Sequence, residues 1–268
     1  MDATLTTPDF LAMIRTSATD PERRKAAGKL FAGLIDFDNP FTRDHGGRVL
    51  RPSAFGSCSL AFAAEAAGQL DLPAGDENWM SMDTGTLMGV WIACLLALGV
   101  ERDQRRYGVA VETVTSYRDI PGHVDVRLDR FDEAGIPERS EPIEIKTSPT
   151  SGQLQAPDAR KVYQCLQAGH YGLGIGAERF HVLTFGYNVG SNREGVPYPK
   201  ARQDTYNTAD YKPLIDAEID RLTALSHLSL DELRDRREEL ADADGNYRCG
   251  SCRYSACHRN LNPVRYAL

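Results

Sequence analysis

Gly122-His-Val-Asp125 and, further along, Pro142-Ile-Glu-Ile-Lys146 set the first constraint on this chain. Residues two apart in a strand point to the same face. Glu144 and Lys146 therefore project together, while Ile143 and Ile145 turn the other way into a core. Asp125 sits in the preceding strand-like segment, and a hairpin would bring it beside Glu144. Two carboxylates and the Ile145 carbonyl would make an all-oxygen site suited to Mg²⁺ or Mn²⁺. Lys146, a compact cation, would then orient an attacking water or steady charge developing on a phosphate. An Asp and a Glu-x-Lys also occur as solvated strand faces and surface ion pairs, so the pattern by itself is only a starting point.

Working outward, three strand-like segments are expected over residues 108–115, 122–128 and 142–146, with turn-forming residues at 132–141 between the last two. The most apolar helix is expected over 85–99, and helices apolar all round are usually buried. Helical spacing returns over 158–173, closed by Gly172 or Gly174. A further strand is expected at 179–187, and a long charged helical stretch, broken near Ser229, over 211–240. Upstream, residues 53–68 read as an Ala-rich helix, and Asp20-Pro21-Glu22 opens another helix ahead of a turn-rich loop at 36–51. The order helix, three strands, helix, strand is that of a mixed sheet flanked by helices.

The tail reads Cys249-Gly-Ser-Cys252-Arg-Tyr-Ser-Ala-Cys257, with Cys58 as its one plausible partner upstream. So compact a triplet suits a soft metal or an iron–sulfur cluster better than internal disulfides. Zinc is the rival, although zinc sites made of four cysteines usually use two close pairs. A cluster held from both regions would act as a clasp. Cys94 and Cys165 fall within apolar helical patterns and read as core residues.

At 268 residues the chain can form one large domain or two small ones. With 41% hydrophobic and 26% charged residues it has the composition of a globular protein. The net charge of −7 argues against a general nucleic-acid coat, but not against a nuclease whose acidic residues hold metal. The longest apolar stretch, 88–100, is too short to cross a bilayer, and the opening Met-Asp-Ala-Thr-Leu has no signal-peptide character. A cytoplasmic protein without a membrane partner is expected, where clustered thiols bind metal more often than they pair.

Asp125 with Glu144-x-Lys146 resembles the PD-(D/E)XK nuclease signature. Gln167-Ala-Gly-His-Tyr171 resembles the Gln-x3-Tyr motif of RecB-type nucleases, and Val109-Ala-Val-Glu112 ahead of Gly122-His-Val-Asp125 resembles the strand pair leading into that family's metal site. Cys58 with Cys249, Cys252 and Cys257 resembles the one-plus-three arrangement of the CRISPR-associated iron–sulfur exonucleases and their phage relatives. Four motifs in one order reinforce each other. The resemblance implies an α/β restriction-endonuclease-like mixed sheet flanked by helices. It implies a helical extension at 1–50, a nuclease core at 51–248 and a cysteine-rich tail at 249–268 packing with Cys58. It assigns Mg²⁺ or Mn²⁺ to Asp125, Glu144 and the Ile145 carbonyl, catalysis to Asp125, Glu144 and Lys146, and DNA positioning or buttressing to Gln167 and Tyr171. The four cysteines would hold a structural [4Fe–4S] cluster. The implied partner is DNA, with single-stranded ends favoured, alongside a homo-oligomer or a recombination or CRISPR partner protein.

One position departs from the family. It places a metal-binding His four residues after a Gly, and here Gly85-Thr-Leu-Met-Gly89 puts Gly89 there. His123, two residues before Asp125, would share its face, as a stand-in ligand or as a neighbouring polar residue. Glu112 has two readings, a second-metal ligand or a solvent-facing residue. The departure motivates an alternative function: a catalytically reduced DNA-binding or assembly subunit.

Overall fold

The computed structural model describes residues 8–34, 50–68, 76–103, 107–148, 158–186 and 201–242. Five strands form one mixed sheet in the order β1-β2-β3-β4-β5. These are β1 (Tyr107–Tyr117), β2 (Ile120–Phe131), β3 (Pro137–Ser148), β4 (Arg179–Gly186) and β5 (Ala201–Asn207). All neighbours are antiparallel except β3 and β4, which run parallel and are joined through the helix α5 (Asp158–Ile175), as a parallel connection requires. The β1–β2 hairpin turns through Arg118 and Asp119, both with positive φ, the backbone sense that matches strand twist in a two-residue loop.

The chain's contacts divide it into two compact units. The first holds the sheet, with helices on both faces. On one face α1 (Phe10–Thr19), α2 (Pro21–Leu34) and α4 (Asp76–Asp103) contribute Phe10, Met13, Ala27, Val90, Cys94 and Leu96 to a core shared with Val126, Leu128, Ile143, Ile145 and Leu183. Those strand residues are the ones that alternation aims away from Glu144. On the other face α5 packs Cys165 and Ala168 against Phe180 and Val182. Glu141 is buried beneath the first face, where Arg179 lies 2.9 Å and His181 3.1 Å from its carboxylate. Burial pushes this carboxyl up, but His181, Arg179 and Arg139 hold it below the usual range.

The second unit contains α3 (Ser59–Ala66), most of α6 (Thr208–Ser226), α7 (Leu230–Asp235) and α8 (Arg237–Asp242). Here α3 packs against α7 and α8, and Leu60, Phe62, Ile219, Leu222, Leu233 and Leu240 are buried.

Several boundaries differ from the sequence expectation. Residues 53–68 are not one helix: a 3₁₀ turn at Pro52–Ala54 stops before Gly56, whose φ of 69 breaks the path, and α3 starts after Cys58. The 132–141 turn is shorter, because Asp132 accepts the N–H groups of Ala134 and Ile136, Gly135 takes a positive φ, and β3 resumes at Pro137. The charged stretch forms three helices, and Ser229 begins the second with a capping box closed by Glu232. Among the described residues no helix is long and apolar enough to cross a membrane.

Candidate active site

The β2–β3 register runs from Phe131↔Pro137 to Val126↔Ile143 and ends there. The next residue on each strand is Asp125 and Glu144, so both carboxylates lie where the two strands part. Instead of a backbone partner, the Ile145 N–H donates to Asp125 Oδ2 at 2.7 Å. That bond fixes one carboxylate oxygen against the peptide following Glu144. The same β3 strand continues alongside β4, pairing Glu144 with Val182 and Lys146 with Thr184. A strand held on that side and released on the other presents a rigid edge.

Glu144 is 2% exposed. Lys146 Nζ lies 2.5 Å from Glu144 Oε1, a cation beside a buried carboxylate that would otherwise carry an uncompensated charge. Lys146 also donates to Gln167 Oε1 at 2.8 Å, and Gln167 Nε2 donates to the Tyr171 hydroxyl at 2.9 Å. Gln167 and Tyr171 are one helical turn apart on α5, which places them on one side of that helix, facing β3. Tyr171 is 3% exposed, so its hydroxyl faces this relay and not solvent. The structure thus brings Asp125, Glu144, Ile145, Lys146, Gln167 and Tyr171 into one connected group.

The donor set of Asp125, Glu144 and the Ile145 carbonyl consists of hard oxygens, and it fits Mg²⁺ or Mn²⁺ in chemistry. Among the described residues no three His, Cys, Asp or Glu side chains gather as a metal-holding group. His123 is half-buried on β2, paired with Val114. Gly89 is half-buried on α4, and a Cβ built there meets nothing within 4 Å. Glu112 is half-buried, not splayed into solvent, and its φ is 53. Strand periodicity carries no signal for such a backbone, so the sequence reading missed it.

Cys58 is a half-buried free thiol at the N-cap of α3. Its loop is braced from α6. Glu218 Oε1 accepts the Gly56 N–H at 2.6 Å, while Arg221 donates to Ser59 Oγ at 2.7 Å and to the Ser57 carbonyl at 3.0 Å. Cys249, Cys252 and Cys257 lie outside the described residues.

Two solved structures resemble this chain. One is described as the crystal structure of SSO0001, at 16% identity and a TM-score of 0.49, covering 89% of this chain and 95% of that one. The other is an alkaline exonuclease, LHK-Exo, from Laribacter hongkongensis, at 12% identity and a TM-score of 0.35, covering 81% of this chain and 99% of that one. No protein-family model and no curated protein matches the sequence.

Proposed function

We propose that the chain is a Mg²⁺- or Mn²⁺-dependent deoxyribonuclease, an exonuclease acting on single-stranded ends. The observation that carries this reading is the hydrogen bond from the Ile145 amide to Asp125 where β2 and β3 part, with Glu144 and Lys146 beside it. Asp125, Glu144 and the Ile145 carbonyl would hold the metal, which would supply Lewis-acid polarisation of the scissile phosphate. Lys146 is poised to orient the attacking water or to offset charge on the phosphate oxygens. Gln167 holds the lysine ammonium by its side-chain oxygen, and Tyr171 holds Gln167, so both buttress the site; Tyr171 is too buried to meet DNA.

Cys58, Cys249, Cys252 and Cys257 would ligate a structural [4Fe–4S] cluster. The support is the rigid bracing of the Cys58 loop by Glu218 and Arg221, together with the packing of α8 on α3, since α8 leads into the cysteine tail. Protein purified without oxygen should carry about four irons per chain and absorb broadly in the visible. Colourless protein loaded with zinc contradicts the cluster.

A second reading, a catalytically reduced DNA-binding or assembly subunit, is favoured by the open space over Gly89. Incubation with end-labelled single- and double-stranded linear DNA, in Mn²⁺ and in EDTA, separates the two. Metal-dependent shortening of the single strand supports the nuclease. Retained binding with no shortening in either condition supports the assembly subunit.

A further inference from the structure

Among the described residues, three that are not glycine have φ in the left-handed region: Glu112 (φ 53), Arg118 (φ 50) and Asp119 (φ 62). Arg118 and Asp119 make the β1–β2 turn, which needs that conformation. Glu112 lies inside β1 and has no turn to make. A residue with a Cβ adopts this backbone only where its surroundings over-determine it, and such strain gathers at functional sites.

Its place in the ladder is specific. β1 and β2 pair Val111 with Val126 and Thr113 with Val124, so Glu112 stands across from Asp125, yet that step is missing from the register. The register is the same on both sides, so no residue is inserted and the feature is a kink, not a bulge. On the opposite flank the β2–β3 ladder has already ended at Val126↔Ile143. Asp125 is thereby left out of both ladders, and its carboxylate takes the Ile145 N–H instead. The Glu112 carboxylate is directed elsewhere: its charge acts on the Cys94 thiol of α4, which burial first and Glu112 second push up to about 11.

We infer that Glu112 is a positioning residue for the Asp125–Glu144 site, acting through its backbone: the left-handed kink in β1 frees Asp125 from the ladder so that its carboxylate can reach the Ile145 amide. The inference deepens the nuclease reading and rests on it for activity, whereas its metal-binding consequence can be measured without cleavage.

The test compares Glu112→Val, whose branched Cβ resists a positive φ, with Glu112→Gly, which accepts it without a side chain. Three readouts are taken on the full chain: the Mn²⁺ dissociation constant from the spectrum of free Mn²⁺, amide exchange at Ile145, and kcat and KM on single-stranded DNA. Glu112→Val should weaken Mn²⁺ binding by about tenfold or more, speed Ile145 exchange and lower kcat with KM unchanged, the size of effect that supporting residues exert on metal sites. Glu112→Gly should restore all three to within about twofold of wild type, a small part of that effect. If Glu112→Val does not fold by circular dichroism, Glu112→Ala takes its place in the comparison. A glycine variant as defective as the valine variant overturns the inference, because the carboxylate itself would then be required. So does a valine variant matching wild type. Wild type that binds Mn²⁺ without cleaving defeats the nuclease reading but leaves the dissociation constants to decide this one. Wild type that binds no Mn²⁺ overturns both.

Discussion

Lys146 is held between two partners, Glu144 at 2.5 Å and Gln167 at 2.8 Å, and its usefulness depends on the second. Gln167→Leu keeps the volume on α5 and removes the bond that draws the ammonium away from Glu144. It should lower kcat about 10- to 100-fold with little change in KM, as loss of a group that orients a catalytic residue does. Tyr171→Phe breaks only the outer link of the relay and should cost about 1 kcal/mol of stability with a smaller loss of rate, measurable by urea unfolding and steady-state kinetics. Next to Tyr171, His170 is fully buried, and burial pushes it down to about 4 from 6.5, against a hydrogen bond with the Tyr117 backbone. The unfolded chain therefore binds a proton that the folded chain refuses between pH 6.5 and 4. Stability contributed by neutral His170 is complete above that window and lost as pH falls through it, by about 3 kcal/mol in all. His170→Leu should flatten the unfolding free energy over this interval, and an unchanged slope would contradict the assignment. Glu144, Lys146, Gln167 and Tyr171 were legible in the sequence because their spacing matches strand and helix periods. The kink at Glu112 was not, since a glutamate in a strand pattern gives no sign of a left-handed backbone.

Helix α5 carries half of the site, and its seating on β1 is tight. A Cβ at Gly174 would clash with Thr115 Oγ1 and come within 2.9 Å of the Ser116 carbonyl oxygen. Gly174→Ala should therefore destabilise by about 1–3 kcal/mol, and the lowered melting temperature should come with reduced activity as α5 shifts Gln167. Gly89 on α4 gives the contrasting case. Its surroundings are open, so Gly89→Ala should raise stability by up to about 1 kcal/mol through helix propensity alone. Elements with apolar periodicity, α4, α5 and β2 to β4, stood out in the sequence for the reason that they are buried. β5 did not: Ala201-Arg-Gln-Asp-Thr-Tyr-Asn207 is an edge strand with one neighbour, and its polar residues satisfy that position without an apolar signal.

For the molecule as a whole, the mixed α/β class followed from the order of elements, and the five-stranded sheet flanked by helices is consistent with a restriction-endonuclease-like core. The division into two units was harder to foresee. Residues 43–82 group with 213–268, a non-local association that no local pattern encodes. It does place Cys58 and the cysteine tail in one unit, which is what a clasp between them requires. If the clasp is structural, Cys252→Ala should lower the stability of the whole protein and lose iron together; a soluble variant with wild-type stability and activity would contradict it. The central claim is more direct still: Asp125 and Glu144 form a metal-dependent nuclease centre. Wild type and Glu144→Ala, matched by circular dichroism, should be incubated with end-labelled single-stranded DNA and Mn²⁺. Degradation by wild type and none by Glu144→Ala is the expected result. Equal degradation by both, or none by either, contradicts it.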